Sequence, residues 1–310
     1  VRRVFGLADW PGDVRAPVLA LGTFDGVHLG HRRVIGLAVE RARARGGPVA
    51  ALTFEPHPLE VLRPAHEPVL LTTIEERLDL FETLAVDVGL ALPFDDAFSK
   101  ISASAWLDDV LRGRLDAREI VAGSSYSFGF RREGTARRLE AWGRNADIPV
   151  HLVPAVLAGG EPVSSSRIRA ALREGLVEDA ARLLGRRYYL SGGIVPGAGR
   201  GRTIGVPTAN LAPSPRKIMP AHGVYATVAA VGGRRYRGAT NIGTRPTFGP
   251  SGGATVETHL LDFEGGALPA GETMVVEFMR YLRPERRFPD AAALVRQIRE
   301  DIAAVRECSD

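Results

Sequence analysis

Apolar and polar positions follow two different rhythms along this 310-residue chain. From residue 17 to about 185, short apolar runs alternate with stretches whose apolar residues recur three and four apart. The runs predict strands at Val18–Leu21, Val49–Phe54, Val88–Leu92, Ile120–Ala122 and Val150–Val153. The stretches between them predict helices, such as the one carrying Ile74, Leu78, Phe81 and Leu84 on one face, with Thr73 and Glu76 spaced as a capping box. Strand and helix in alternation build a doubly wound parallel sheet. Ligands of such sheets sit beyond the carboxyl ends of the strands. The loops to read are therefore 22–31, 54–66, 93–101, 123–135 and 154–166.

Two short helical patterns follow, RIRAALREG and VEDAARLLG, within residues 166–185. Past Arg187 the helical period nearly vanishes, glycine and proline become frequent, and β-rich runs take over. These are Tyr188–Val195, Val224–Val231, Tyr236–Ile242, Thr255–Phe263 and Met274–Tyr281, a spacing that predicts a small antiparallel β-barrel. A last helix from Asp290 to Val305, with Leu294, Ile298 and Ile302 on one face, is expected to close one end of it. The domain boundary is expected near Gly185 to Arg187, giving domains 1–185 and 186–310.

Composition narrows the class without naming a function. The chain is 45% hydrophobic and 25% charged, ordinary for a globular protein, and long enough for two cores. No apolar run approaches the roughly 18 residues of a membrane span, and VRRVFGLADWPGD lacks the apolar core of a signal peptide, so the expectation is a cytoplasmic location with no membrane partner. The single cysteine, Cys308, rules out an internal disulfide framework and fits a reducing compartment. The formal charge of +4 is almost entirely arginine, scattered as in RARARG, which suits small anionic ligands and calls for no nucleic acid. Neither Lys100 nor Lys217 stands in a Gly-Lys-Ser/Thr context, so the chain has no P-loop.

The chemistry concentrates in LGTFDGVHLGHRRVI, Leu21 to Ile35. A strand end runs through a tight turn at Gly22, Phe24, Asp25 and Gly26 into a helix start, and His28 and His31 flank Gly30, where a ligand can approach the backbone. Backbone N–H groups and the positive end of a helix favour a phosphate there. Surface histidines or a helix cap are the other readings; zinc lacks ligands. Thr53 to Pro58, TFEPHP, is a stiff strand exit or one wall of a site. GSSYSFGFRREGT, Gly123 to Thr135, brings aromatics, Arg131 and Arg132. SSSRIRAAL places Ser164, Ser165 and Ser166 at a helix start with Arg169 one turn on, to cap the helix or to grip a triphosphate.

In the second half, GGIVPGAGRGRTIGVPTANL contains Gly199 and Gly205. Pro207 and the β-rich context exclude the helix that a dinucleotide fingerprint needs, which leaves a loop able to cover phosphates. In Pro207-Thr208-Ala209-Asn210 a hydroxyl and an amide oxygen stand two residues apart on one face of an extended segment, either as hard oxygen ligands for Mg²⁺ or as part of a turn.

Taken together, G-x-F-D-G-V-H-x-G-H at Gly22 to His31, F-E-P-H-P at Phe54 to Pro58, F-G-x-x-R-x-G at Phe128 to Gly134 and S-S-S-x-I-R at Ser164 to Arg169 resemble the adenylyltransferase module of bacterial bifunctional riboflavin kinase/FAD synthetases. The H-x-G-H element is shared with nucleotidyltransferases generally. The resemblance implies that the FMN phosphate attacks the α-phosphate of ATP, giving FAD and pyrophosphate with no general base. His28 and His31 then steady the α-phosphate within a nucleotide site shaped by Gly22, Phe24, Asp25, Gly26 and Gly30. Ser164, Ser165, Ser166 and Arg169 hold the pyrophosphate, and Ser125, Phe128 and Arg132 lie on the flavin side. Ser125 stands where the family usually has Asp or Asn, and Ser166 where it typically has Thr.

GVYA at Gly223 to Ala226, NIGTRPTFG at Asn241 to Gly249 and VETHLLDF at Val256 to Phe263 resemble the riboflavin kinase module of the same family. This implies transfer of the ATP γ-phosphate to the riboflavin 5′-hydroxyl, with Glu257 as the base that a neutral alcohol needs. Thr208 and Asn210 match the Mg²⁺ and phosphate ligands, Gly199 and Gly205 the phosphate loop, and Arg245 the flavin side. After Phe263 the chain reads EGGALPAGE where the family commonly has Leu-Tyr-Gly. The implied small molecules are riboflavin, FMN and ATP with Mg²⁺, bound by a monomer or weak homo-oligomer. A kinase with a weak or nucleotide-switched first half, or a flavin-binding regulator without chemistry, are the alternatives; a regulator has no need of Glu257.

Overall fold

The computed structural model describes residues 1–62, 70–197, 206–244, 254–264 and 270–308. Its contacts gather into two units, Val1–Ser165 and Ser166–Asp310. The first unit opens with β1 (Arg2–Phe5), β2 (Val18–Leu21), α1 (Leu29–Ala44), β3 (Val49–Glu55), α2 (Pro58–Leu62) and α3 (Ile74–Thr83). Next come β4 (Val88–Pro93), α4 (Asp96–Ser99) and α5 (Ala103–Ala105), which runs on as a wider-wound turn through Trp106–Arg114. The unit continues with β5 (Glu119–Gly123), the short β6 (Ser127–Phe128) and β7 (Gly134–Thr135), α6 (Ala136–Ala146), β8 (Val150–Val153) and the hairpin of β9 (Leu157–Ala158) with β10 (Glu161–Pro162).

Six strands form one parallel sheet in the order β1-β4-β3-β2-β5-β8. Four of the five apolar runs read from the sequence are its inner strands, and the fifth, β8, is an edge. Within β2 the side chains alternate, Leu19 and Leu21 to one core with Trp106 and Ile120, Val18 and Ala20 to the other with Ile35 and Phe81. Each fully buried leucine of this kind stabilises the sheet by about 1.5–3 kcal/mol. From β2 the chain moves outward through β3 and β4 on one side and through β5 and β8 on the other. The loops after β2 and β5 therefore flank the point where strand order reverses. The capping box at the start of α3 is present, with Thr73 Oγ1 accepting from Glu76 N at 3.3 Å and Glu76 Oε2 accepting from Thr73 N at 3.0 Å. β1 was not expected from the pattern: it is an edge strand held by backbone pairing to β4, with Val4 as its one buried residue.

The second unit takes up α7 (Ser165–Arg173) after its first residue, then α8 (Val177–Leu184) and the strands β11 (Tyr189–Val195), β12 (Ala209–Pro213), β13 (Gly223–Val231), β14 (Arg234–Thr244), β15 (Ala254–Leu260) and β16 (Thr273–Arg283). These close into an antiparallel barrel in the order β11-β12-β15-β14-β13-β16, with β16 paired back onto β11. Inside it, Thr227, Thr240 and Thr258 form a fully buried hydroxyl chain with O···O separations of 2.8 and 2.9 Å. The last helix, α9 (Ala291–Glu307), lies against the outside of the wall and closes no end of the barrel. The reason is the outer face of β13, β14 and β16, where Ala226, Val228, Ala239 and Met279 need a cover that Ile302, Val305 and Cys308 supply. Two contacts fix the helix: Arg283 donates to both Asp301 carboxylate oxygens at 2.9 and 2.8 Å, and Arg237 donates to the carbonyls of Val305, Arg306 and Cys308 at its C-terminus. Among the described residues no helix is long and apolar enough to cross a membrane.

Candidate functional site

Between β2 and α1 the backbone turns through left-handed conformations at Phe24 (φ 50°), Gly26 (φ 83°) and Val27 (φ 40°). Gly26 has no substitute, because a Cβ there would sit 2.7 Å from Leu71 Cδ1. Phe24 and Val27 hold the strained geometry through their buried side chains. The Asp25 carboxylate is buried and accepts the N–H groups of Leu71 and Thr72, each at 3.0 Å, so it fixes the loop from below. Arg77, fully buried, stands 3.7 Å from Asp25 and donates to Thr53 Oγ1 at 2.8 Å and to the carbonyls of Phe54 and Thr72 at 3.3 Å. Thr53 Oγ1 donates in turn to the Thr23 carbonyl at 2.6 Å. One guanidinium thus ties together the loops after β2 and β3 and the segment before α3. Arg77 was missed in the sequence. Its signal was a charge beside the apolar stripe of α3, one turn before Phe81.

His28 is the N-cap of α1: its Nδ1 accepts from His31 N at 3.3 Å. The capping and ligand readings are therefore compatible, because a neutral ring that accepts at Nδ1 carries its proton at Nε2 and offers a donor there. His28 is buried and stacks on His31 with centroids 3.6 Å apart, and Phe24 meets the edge of His31 at 5.3 Å. His31 Nδ1 is enclosed and makes no hydrogen bond within the protein. Burial first, then the neighbouring His28 and Arg77, push the His31 pKa well below its usual range, so the ring is neutral at pH 7. The loop thus presents the neutral His31 ring and the His28 cap at the start of a helix, a setting that favours an incoming anion. Gly30 keeps this geometry open: a Cβ there would lie 3.1 Å from His28 Cε1, while Gly22 is packed under the Phe24 ring. Ser165 Oγ, at the end of the first unit, donates to the Asp25 carbonyl of the same loop at 2.9 Å. Ser164 is half-buried; farther along, in the second unit, Ser166 is exposed and Arg169 buried.

After β3, TFEPHP is a rigid exit. His57 Nδ1 accepts from Leu59 N at 3.2 Å, Glu60 Oε1 accepts from His57 N at 2.9 Å, and Pro58 opens α2. After β5, Ser125 sits exposed at the turn tip, where Tyr126 N donates to the Gly123 carbonyl at 2.9 Å. Phe128 is 7% exposed, stacks on Tyr126 at 5.5 Å and packs into the core. Of the three residues placed on the flavin side of this loop, Ser125 and Arg132 therefore face solvent and Phe128 does not. Arg132 Nε donates to Ser127 Oγ at 2.9 Å, and Glu133 Oε1 accepts from Ala103 N at 2.6 Å to pin the loop to α5.

On the barrel, register pairs Glu257 with Asn210 on β12 and with Asn241 on β14. Directly opposed residues share a face, so Asn210, Glu257 and Asn241 form one row across three strands. It lies on the outer face, since Val256 and Thr258 on either side of Glu257 are buried inward. Thr208, exposed, precedes β12, and Asn210 is buried under Gly197, where a Cβ would come within 2.1 Å of its Nδ2. His259 Nδ1 is 2.8 Å from the Pro207 carbonyl and so braces the Thr208 segment. Gly199, Gly205 and Arg245 lie outside the described residues. Among the described residues no three His, Cys, Asp or Glu side chains gather as a metal cluster. The oxygens of Thr208 and Asn210, with Glu257 opposite, are hard donors of low total charge; they fit Mg²⁺ that arrives with phosphates better than a free-standing metal.

Two family models match the chain, FAD synthetase over residues 11–167 and riboflavin kinase over residues 184–309. The bifunctional riboflavin kinase/FMN adenylyltransferase of Bacillus subtilis is 37% identical over 291 residues, which covers 92% of this chain and 90% of that protein. The Escherichia coli K12 protein of the same description is 34% identical over 308 residues, covering 99% and 96%. A solved Streptococcus pneumoniae chain described as a macrolide-efflux protein superposes with a TM-score of 0.91 at 31% identity, each chain covered in full. With both modules matched in order and relatives aligned almost end to end, the chain belongs to the bacterial bifunctional riboflavin kinase/FMN adenylyltransferase (FAD synthetase) family.

Proposed function

We propose that this chain phosphorylates riboflavin to FMN and then adenylylates FMN to FAD, using ATP in both steps, with a functional boundary at residues 185/186. The observation that carries the reading is the contrast between the two units. The loop before α1 offers the neutral His31 ring and a helix N-terminus, and its one carboxylate, Asp25, is committed to the N–H groups of Leu71 and Thr72, which suits a nucleophile that is already a phosphate anion. The barrel row places a carboxylate, Glu257, between two amides, which suits a neutral alcohol that must lose a proton.

In the first unit His28 Nε2–H and His31 steady charge on the α-phosphate, while Gly22, Phe24, Asp25, Gly26 and Gly30 shape the nucleotide site. Asp25 acts there as a brace, because its carboxylate is spent on Leu71 and Thr72. Ser164, Ser165, Ser166 and Arg169 hold pyrophosphate, and Ser125, Phe128 and Arg132 border the flavin. In the second unit Glu257 takes the proton of the 5′-hydroxyl. Thr208 and Asn210 hold Mg²⁺, which when bound neutralises the triphosphate; Gly199, Gly205 and Arg245 line the phosphate and flavin sides. The working state is a monomer or weak homo-oligomer in the cytoplasm, with no nucleic-acid or membrane partner.

The test is incubation of the full chain with riboflavin, Mg²⁺ and ATP, with CTP in parallel, and separation of the flavins by chromatography. FMN followed by FAD is the expected result. FMN alone would restrict the function to the kinase, the second reading that Ser125 favours, and FAD formed with CTP in place of ATP is excluded by chemistry, so a CTP-dependent flavin dinucleotide would redirect the first unit to another nucleotide. Absence of FMN would remove the enzymatic reading altogether.

A further inference from the structure

The segment leaving β16 carries a carboxylate that the reading above does not use. Arg283, the last residue of β16, is clamped to Asp301 of α9 at 2.9 and 2.8 Å, so the chain just beyond it starts from a fixed point. Two residues on, Glu285 Oε1 accepts from Asn241 Nδ2 at 3.2 Å. The same carboxylate occupies the space over Gly243: a Cβ there would fall 2.0 Å from Glu285 Oε1 and 2.7 Å from its Cδ. Asn241 and Gly243 share a face of β14, and Asn241 is the register partner of Glu257. Glu285 therefore reaches the outer row of the barrel through a gap that only a missing side chain leaves open.

We propose that Glu285 is a positioning residue for riboflavin phosphorylation, acting through Asn241 on the neighbouring Glu257; this rests on the reading of Glu257 as the base. An asparagine amide can flip and present either a donor or an acceptor to its neighbour. With Nδ2 held by a carboxylate that accepts only, the flip is removed and Asn241 turns one fixed edge to the row. Fixing the neighbour of a base aligns the base with the hydroxyl without adding a contact to either substrate. The signature is a fall in kcat with little change in KM.

The test uses the full chain, with its thermal unfolding and its FMN adenylylation as folding controls. Glu285→Ala is expected to lower kcat for phosphorylation about tenfold, the factor one hydrogen bond to a carboxylate supplies, with KM for riboflavin and ATP within about twofold. Glu285→Gln keeps the acceptor oxygen and should recover most of that loss. Gly243→Ala should reproduce Glu285→Ala, because its methyl displaces the end of a flexible side chain and leaves the strand in place. In an Asn241→Ala background Glu285→Ala should cost nothing further, since the effect passes through that amide. Additive losses, a rise in KM with kcat intact, or a Gly243→Ala enzyme with unchanged kcat would each overturn the proposal. Glu257→Gln separates the two levels: if it still phosphorylates, the base assignment falls and this inference with it. If it is inactive and Glu285→Ala matches the native enzyme, this inference alone falls.

Discussion

Gly30→Ala probes the packing of His28 at the start of α1 in the adenylylation site. The added methyl would lie 3.1 Å from His28 Cε1, 3.2 Å from His28 Nδ1 and 3.9 Å from the Val163 carbonyl. Carbon contacts are comfortable at about 3.5–4.0 Å, so the imidazole must give way by roughly 0.4 Å or more. It has little room, because it is stacked on His31 at 3.6 Å and its Nδ1 is committed to His31 N. A displacement of about 1 Å in a catalytic group costs roughly a hundredfold in rate, so a shift near half that size should lower FAD formation about tenfold. Stability should move the other way or stay level, since alanine is favoured over glycine in a helix by up to about 1 kcal/mol and Gly30 lies in the first turn of α1. The assay is FMN-to-FAD conversion with Mg²⁺-ATP, run beside riboflavin phosphorylation and thermal unfolding. FAD formation at the native rate would refute the role given to His28, and an equal loss of phosphorylation would mean that the damage is not local.

Other expectations follow from the same geometry. Glu257→Gln should reduce riboflavin phosphorylation by about 10²–10⁴-fold while FMN adenylylation persists, measured by chromatography with each flavin supplied separately. Burial alone would raise the Glu119 carboxyl, but hydrogen bonds from Arg41, Arg45 and His151 outweigh it and hold its pKa below the usual range. Its stabilisation is therefore present above an unfolded value of about 4.3 and is lost as pH falls through the folded value. Glu119→Gln should cost about 1–2 kcal/mol near neutrality, allowing for the exposure of both arginines, and flatten the acid limb in urea titrations; an unchanged limb would contradict the assignment. Arg237→Ala removes the side-chain donor shared by three carbonyls at the end of α9 and should lower the stability of the barrel by about 1–2 kcal/mol, seen as a lower urea midpoint.

Much of the fold was legible because burial writes itself into composition. The inner strands of the parallel sheet are built on apolar runs, and the capping box of α3 is a local pattern that needs no distant partner. β1 stayed hidden because an edge strand is held by backbone bonds, which leave its side chains free to be arginine. β12 stayed hidden for a different reason: Asn210 is spent on the site, so its run reads as ligands and not as strand. The position of α9 depended on which wall of the barrel is apolar outside, a property that exists once the register is known. Within the sites, His28, His31 and Glu257 were readable from motif and residue type. Arg77 and Glu285 were not, because their meaning lies in partners such as Thr53 and Asn241 that are remote along the chain.

The closure of the barrel through β16 also sets an order of events in synthesis. β16 supplies the edge that both β11 and β13 require, so five strands can be complete while two of them still expose unpaired backbone. The parallel sheet draws on residues up to Val153 alone, and its last strand is finished long before β16 leaves the ribosome. A growing chain can thus settle its first unit early, whereas the barrel stays open at a seam until its final strand is made and Arg237 can grip the end of α9. A chain cut short before Thr273 keeps that seam, and its exposed edges make it a target for pairing with another copy or for degradation, not a smaller version of the enzyme.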